Sequence, residues 1–478
     1  EVDTWAETPT VWLIASSSFM HGWYNLTSLS GQRGAIKVFT FDKDKLTLKK
    51  DFGAEAIKTV ARADPLSNAR QLMTVSPKTG KLYVMESRVS SSQVVEIDPE
   101  TGRARLMDLA HATDDICFDM DGYIYLNAGS CVTRFDPAAL REIPWDYGEE
   151  RKGVGGGSHG EKSINTLSAL VLPGSMPPCD EKGHTCGFCL SPRGLMALYC
   201  WNGEKPGGKA ATPGEKVVGE AGKSYVPQVY PGRQRWGEIH VWNRAGNVLH
   251  ADAIPGLGFT DGVAIDKDEN LYVLAGAART PDGQNKFNPR TCTLMKFKAG
   301  KGKIVTAGDK RVPVALKPGE EPKGPAPLAG RWVAGAEWIY GGVGYSGWEW
   351  SSRFALDLYA RAFVPETDRF SVAVLDTNGN LIMRIGKYGN IDDGKPLSET
   401  EDGKGKTETA PIAGASSSTQ HSIGGDEVAL MHAGYVGVQG DKRLFISDAG
   451  NRRIASVKLA YAAEEKIALK DVPDAGKK

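Results

Sequence analysis

Along most of this chain apolar and polar side chains alternate at a period of two in short runs, and glycine or acidic residues bound the runs. That is the pattern of half-buried antiparallel strands rather than of helices. The clearest unit is Thr260-Asp261-Gly262-Val263-Ala264-Ile265-Asp266-Lys267-Asp268-Glu269-Asn270-Leu271-Tyr272-Val273, a strand, a tight acidic turn and a second strand. It recurs without a gap at Asp114 to Leu126 and at Cys186 to Leu198, and with one extra turn residue at Gln71 to Val84. Ser352 to Val364 and Gly434 to Ile446 complete six copies. Each copy is followed by a third alternating strand. Third strands are predicted over 36–41, 94–97, 132–135, 239–242, 293–297, 372–375 and 454–459. The extra member lies at the N-terminus, where Val11 to Ser16 reads as the second strand of a unit whose innermost strand is not evident. Self-similarity of this kind overrides the length prior, by which 478 residues suggest two or three domains. Small antiparallel sheets cannot bury their faces alone, and a radial arrangement covers both faces while leaving only short edges. The expectation is an all-β fold, a single β-propeller over residues 1–462, with a C-terminal tail at 463–478. The count of third strands predicts seven blades, with six or eight as alternatives. Long interblade insertions are expected at 137–183, 201–235 and 299–350.

The stretch Leu444-Phe445-Ile446-Ser447-Asp448-Ala449-Gly450-Asn451-Arg452-Arg453-Ile454, with Asp261 to Asp266, resembles the NHL-repeat group of propellers. In a propeller the first strand of each blade lines the central channel, and its first residues emerge at one face. Aligning the copies places Gln71, Asp114, Cys186, Asp261, Ser352 and Gly434 at one such position. His184 and His432 stand two residues earlier in their copies and His111 three earlier in another, with Arg70 and Asp115 alongside. In the peptidyl-hydroxyglycine lyases, which are NHL-type propellers, a histidine at the matching position in three blades holds a zinc ion over the channel. Here none of those positions is histidine. Carboxylate, thiolate and neutral imidazole are nevertheless all competent ligands, so Asp114, Asp261, Cys186, His184 and His432 form a candidate set for one divalent ion, Zn²⁺ or Ca²⁺. The alternative is a hydrated polar mouth without an ion. Arg70, His111 and Asp115 are the candidates for substrate charge or proton transfer. Trp350, level with His184 and His432, closes a run containing Trp332, Trp338 and Trp348; it is the aromatic expected to face a ligand, and packing between blades is the competing role for the run.

Asp119-Met120-Asp121-Gly122 and Asp376-Thr377-Asn378-Gly379 look like the start of a calcium loop but lack the downstream glutamate, and tight hairpins demand the same residues. Four of the seven cysteines fall between Cys179 and Cys200. Disulfides, a metal and buried thiols all remain open, including a pairing of Cys117 with Cys131 within one blade. Leu190 follows Cys189 where covalent haem attachment requires histidine, so no haem is expected there. No Gly-Lys-Ser/Thr follows the glycine-rich loop around His159, so no nucleotide is expected either.

Charge narrows the partners. Lys and Arg number 58 against 58 Asp and Glu, with no sustained basic run, which gives no electrostatic reason to expect nucleic acid. No apolar stretch approaches the roughly 20 residues of a spanning helix. The chain starts at Glu1 and not at Met, which suggests a leader already removed and a periplasmic or secreted protein. Two functions fit. One is a binding or interaction subunit that recognises a protein or glycan through one propeller face; the other is a metal-dependent lyase or hydrolase with its site at the channel mouth.

Overall fold

The structure is a computed structural model that describes residues 10–14, 36–42, 45–53, 71–86, 93–107, 115–127, 131–143, 145, 152–155, 163–165, 170–171, 188–191, 193–200, 238–257, 260–275, 291–306, 331–344, 354–389, 428–439, 443–448, 450–451 and 453–459, some of them by their backbone alone. These residues are strands and the turns that join them, and the one helical element among them is a 3-10 turn at Thr367–Arg369. Six antiparallel sheets follow one another in chain order. Blade 1 is Gln71–Val75, Leu82–Glu86, Gln93–Ile97 and Ala104–Leu106; blade 2 is Asp115–Phe118, Ile124–Asn127, Cys131–Asp136 and Arg141–Ile143. Blade 3 is Phe188–Leu190, Met196–Cys200, Glu238–Trp242 and Val248–His250; blade 4 is Thr260–Ile265, Asn270–Ala275, Cys292–Lys298 and Ala336–Val343. Blade 5 is Ala355–Leu356, Ala362–Glu366, Ser371–Leu375 and Leu381–Ile385; blade 6 is Ala433–Gln439, Arg443–Asp448 and Arg453–Lys458. First strands of successive blades lie side by side from blade 1 through blade 4, and again between blades 5 and 6. This is the arrangement of a β-propeller.

The hydrophobic core is divided into layers, each shared by two consecutive blades. In blade 3, Met196 and Leu198 face Tyr125 and Val132 of blade 2, whereas Ala197 and Tyr199 face Val263 and Ile265 of blade 4. In blade 4, Leu271 and Val273 turn back to blade 3, while Tyr272 and Leu274 pack on Ala362 and Val364 of blade 5. Phe363 and Val372 then meet Leu444 and Ile446 of blade 6. Successive strand residues point to opposite faces, so an unbroken apolar strand feeds two layers at once. Each fully buried large side chain contributes about 1.5–3 kcal/mol.

The acidic turns close the hairpins between first and second strands. Asp119 Oδ1 accepts the N–H groups of Asp121 and Tyr123, both at 3.0 Å. Asp266 does the same for Asp268 and Asn270 at 2.9 Å, and Asp357 for Tyr359 and Arg361 at 2.9 Å. In blade 3 the Ser191 hydroxyl takes over, accepting from Leu195 N–H at 3.0 Å. Asp376 closes the outer hairpin of blade 5 in the same way, at 2.8 Å to Asn378 and Asn380. Arg244 reaches across from blade 3 to pair with Asp119 and Asp121 of blade 2.

Two expectations are corrected. The described residues form six blades and not seven: the N-terminal third strand, Ile36–Asp42, lies in a three-stranded sheet with Thr10–Ile14 and Lys45–Gly53, and among the described residues no inner strand of the repeating kind accompanies it. Cys117 and Cys131 do not pair, because the strand Ile124–Asn127 runs between theirs. Two strand spacings alone separate the Cα atoms by about 9.6 Å, and Cys131 lies a further three residues along its strand from Arg134, the residue level with Cys117, which is beyond the reach of a disulfide. The Cys117 thiol instead donates to the Phe188 carbonyl at 3.4 Å. No disulfide forms among the described residues. Trp338 packs edge-on against Tyr272 and donates from Nε1 to the Thr377 carbonyl at 3.0 Å, so this tryptophan joins blades 4 and 5.

Candidate functional site

Up-and-down connectivity brings the start of every first strand, the end of every second strand and the start of every third strand to one face of the sheets, here termed the mouth. At this face the repeat alignment reappears in the backbone. Asp261 is an unpaired extra residue between the Thr260–Ala275 and Gly262–Leu274 partners, and Gly434 is the same between Ala433–Asp448 and Tyr435–Ser447. Bulges of this type re-aim a side chain, and the two occupy equivalent positions in blades 4 and 6. Asp115 begins the first strand of blade 2 opposite Asn127. For Asp115 and Asp261 the backbone alone is described. Arg70, His111, Asp114, His184, Cys186 and Trp350 lie outside the described residues.

His432 is described in full. It is half-buried, and burial pulls its pKa below the usual imidazole value against the opposing pull of Asp448. Its N–H donates to Asp448 Oδ1 at 2.8 Å, and the Met431 N–H reaches the same oxygen at 3.1 Å. Asp448 Oδ2 accepts from Asn451 Nδ2 at 2.6 Å, and Asn451 Nδ2 also reaches the Gly389 carbonyl at 2.9 Å. Asp448 and Asn451, two residues of the stretch that resembles NHL repeats, therefore clamp the entry into the first strand of blade 6. Gly450 completes the clamp, since a Cβ there would lie 2.7 Å from Met431 Cγ. Met431 and Tyr435 stand exposed on either side.

Two further buried polar clusters lie at this face. Glu366 ends the second strand of blade 5, and its carboxylate accepts from Tyr340 Oη at 2.8 Å, Ser371 Oγ at 2.9 Å, Arg369 Nη1 at 2.8 Å and Arg384 Nε at 2.8 Å. Burial, then the adjacent Glu366 charge, pushes the Tyr340 phenol up to about 12. Glu238 and His240, in the third strand of blade 3, sit with Asp252, and all three are buried. His240 Nε2 lies 3.2 Å from Glu238 Oε2, while Nδ1 accepts the Asp252 N–H at 3.2 Å.

The alignment of first strands did not single out Glu366, Asp448 or Glu238. A signal existed: otherwise apolar second strands end on a polar residue at Glu86, Asn127, Glu366 and Asp448. Among the described residues no three metal-competent side chains converge.

No protein-family model matches this chain, and no curated protein matches it. Solved structures do. Hydrazine synthase of Kuenenia stuttgartiensis is similar at 10% identity and a TM-score of 0.43, covering 89% of this chain and 93% of that one. Virginiamycin B lyase of Staphylococcus aureus is similar at 9% identity and a TM-score of 0.32, covering 84% and 87%. TolB of Acinetobacter baumannii is similar at 8% identity and a TM-score of 0.37, covering 78% and 62%. Likeness at this level assigns no activity.

Proposed function

We propose that this propeller is a binding or interaction subunit that engages a protein or glycan partner through its mouth face. One observation carries the reading. Two of the buried carboxylates at this face, Asp448 and Glu366, are occupied by the chain's own donors, whereas Met431 and Tyr435 stand exposed beside Asp448. A carboxylate already engaged on both oxygens by internal donors is suited to holding loops in place; exposed aromatic and thioether side chains supply contact area at low entropic cost. The resemblance of residues 444–454 to NHL repeats belongs to this proposal. So does a periplasmic or secreted location, which rests on the sequence, including the density of cysteines between Cys179 and Cys200.

A second reading has its own support. The matching bulges at Asp261 and Gly434, with the lowered pKa of His432 nearby, suit a metal-dependent lyase or hydrolase at the mouth. Asp114, Asp261, Cys186, His184 and His432 would supply the ligands for Zn²⁺ or Ca²⁺, and Arg70, His111 or Asp115 the substrate contacts. Elemental analysis of the purified full chain separates the two. A metal-free protein that co-purifies with a fixed partner supports the binding reading. A stoichiometric divalent ion that is lost in both Asp114→Ala and Asp261→Ala overturns it in favour of the enzyme.

A further inference from the structure

Residues 251–257 form the bend that leads from the outer strand of blade 3 to the first strand of blade 4. Three hydrogen bonds pin it: Ala253 N–H to the Ile239 carbonyl at 2.7 Å, Ile304 N–H to the Pro255 carbonyl at 2.7 Å, and Asp252 N–H to His240 Nδ1 at 3.2 Å. Ala253, Ile254 and Leu257 are fully buried in the layer between the two blades. The bend is conformationally demanding. Asp252 has a φ of 41°, and Gly256 has a φ of 82° with the Ile304 carbonyl oxygen 1.9 Å from where a Cβ would stand.

Into this packed bend the chain places a carboxyl group. Asp252 is 4% exposed, and neither of its oxygens has a hydrogen-bond partner among the described residues. An ionised carboxylate so placed is costly unless paired. His240 does not supply the pairing charge: its Nδ1 lone pair accepts the Asp252 N–H, which assigns the ring proton to Nε2, on the side of Glu238. The same assignment removes Nε2 as a metal ligand. The other titratable groups on the packed elements include Glu238, Tyr199 and Cys189 of the same layer, His250, whose Nε2 lies 3.9 Å from Glu269 Oε2, and Lys303 beside Ile304. Of these, Glu238 is the one whose charge acts on Asp252, and it opposes ionisation. The carboxyl group that fits this site is the protonated one.

We propose that Asp252 is a proton-operated latch: protonated, it seats the bend 251–257 between blades 3 and 4, and ionised, it loosens that bend and with it the strand entry that carries Thr260 and Asp261 to the mouth. Burial first, and the Glu238 charge second, raise its pKa to about 8. An unfolded or locally opened aspartate titrates near 3.9. Because the seated state holds its proton more tightly, its added stability is complete below about pH 4, falls as pH rises, and levels off once pH passes about 8. The latch stands whichever mouth function holds.

Hydrogen exchange on the full-length protein tests it, with protection factors corrected for the intrinsic rate at each pH. Protection at the Ala253 and Ile304 amides is expected to fall by about tenfold or more between pH 6 and pH 8.5, while that of Ala373 in blade 5 stays level. In Asp252→Asn, which stays neutral, the fall at Ala253 and Ile304 disappears. In Glu238→Gln, which removes the opposing charge, the levelling point moves to lower pH. The latch is refuted by protection at Ala253 and Ile304 that does not vary with pH in the parent protein, or by a fall of the same size in Asp252→Asn. Should Asp252→Asn fail to fold, an unmoved levelling point in Glu238→Gln refutes it equally.

Discussion

Replacing Asp448 by alanine removes the acceptor for three donors at once: the Met431 and His432 amides on Oδ1 and the Asn451 amide on Oδ2. Hydrogen bonds to a charged group contribute about 1.5–3 kcal/mol each. Two features reduce the total loss. Met431 is exposed and His432 half-buried, so water reaches their amides, and Asn451 keeps its bond to the Gly389 carbonyl. The expected loss is about 3–4 kcal/mol, within the range for breaking a buried polar network. Asp448→Asn is expected to cost only about 1–2 kcal/mol, because its amide oxygen still accepts from the two backbone N–H groups. Its NH₂ then faces Asn451 Nδ2, a donor, so that one bond is lost, and a flip of Asn451 would not restore it without giving up the bond to the Gly389 carbonyl. Urea unfolding measures both variants against the parent, and an NMR titration of His432 supplies the local readout. Losing the Asp448 charge takes away the upward pull on that imidazole, so its pKa falls further below the parent value in both variants. An alanine variant within about 1 kcal/mol of the parent, or indistinguishable from the asparagine variant, would show that Asp448 does not organise the entry into blade 6.

Two other perturbations have defined magnitudes. Gly256→Ala puts a Cβ against the Ile304 carbonyl oxygen in a positive-φ conformation and should cost more than about 3 kcal/mol or abolish soluble expression. Gly262→Ala meets only Phe354 and Leu274 at ordinary contact distances and should stay within about 1 kcal/mol; equal losses in the two variants on thermal unfolding would contradict the packing described for the bend. Arg244→Ala breaks a partly exposed bridge to Asp121 and should lower stability by less than about 1 kcal/mol, by a margin that shrinks further in 1 M salt. A larger, salt-independent loss would mean that the bridge between blades 2 and 3 is a structural anchor.

The repeating unit was legible in the sequence because its turn is built by local chemistry. An aspartate whose side chain closes the hairpin on residues two and four positions later, as Asp266 does, leaves a readable spacing between two apolar strands. Third strands were legible by their alternation, and the one predicted over 239–242 is observed at Glu238–Trp242. The number of blades was not, since a third strand at 36–41 shows that a sheet exists without showing that an inner strand accompanies it. At the mouth, period-two reading marks which residues alternate but not which of two neighbouring layers each one enters. Glu238, His240 and Asp252 are separated in sequence and meet only because a strand edge and a bend are folded together. His240, flanked by Ile239 and Val241, is fully buried with them, and nothing in the alternation marks it as a partner of Asp252.

The alternation of each second strand between two layers limits how such a chain can change length. Inserting a single residue into Met196–Cys200 would exchange the neighbours of every side chain beyond it, handing Tyr199 to blade 2 and Leu198 to blade 4, so that two seams fail from one event. Growth is tolerated where strands have already ended, and the long segments at 201–237 and 307–330 both join strand ends. New surface can therefore accumulate on this scaffold by lengthening connections, while the spokes keep a fixed residue count.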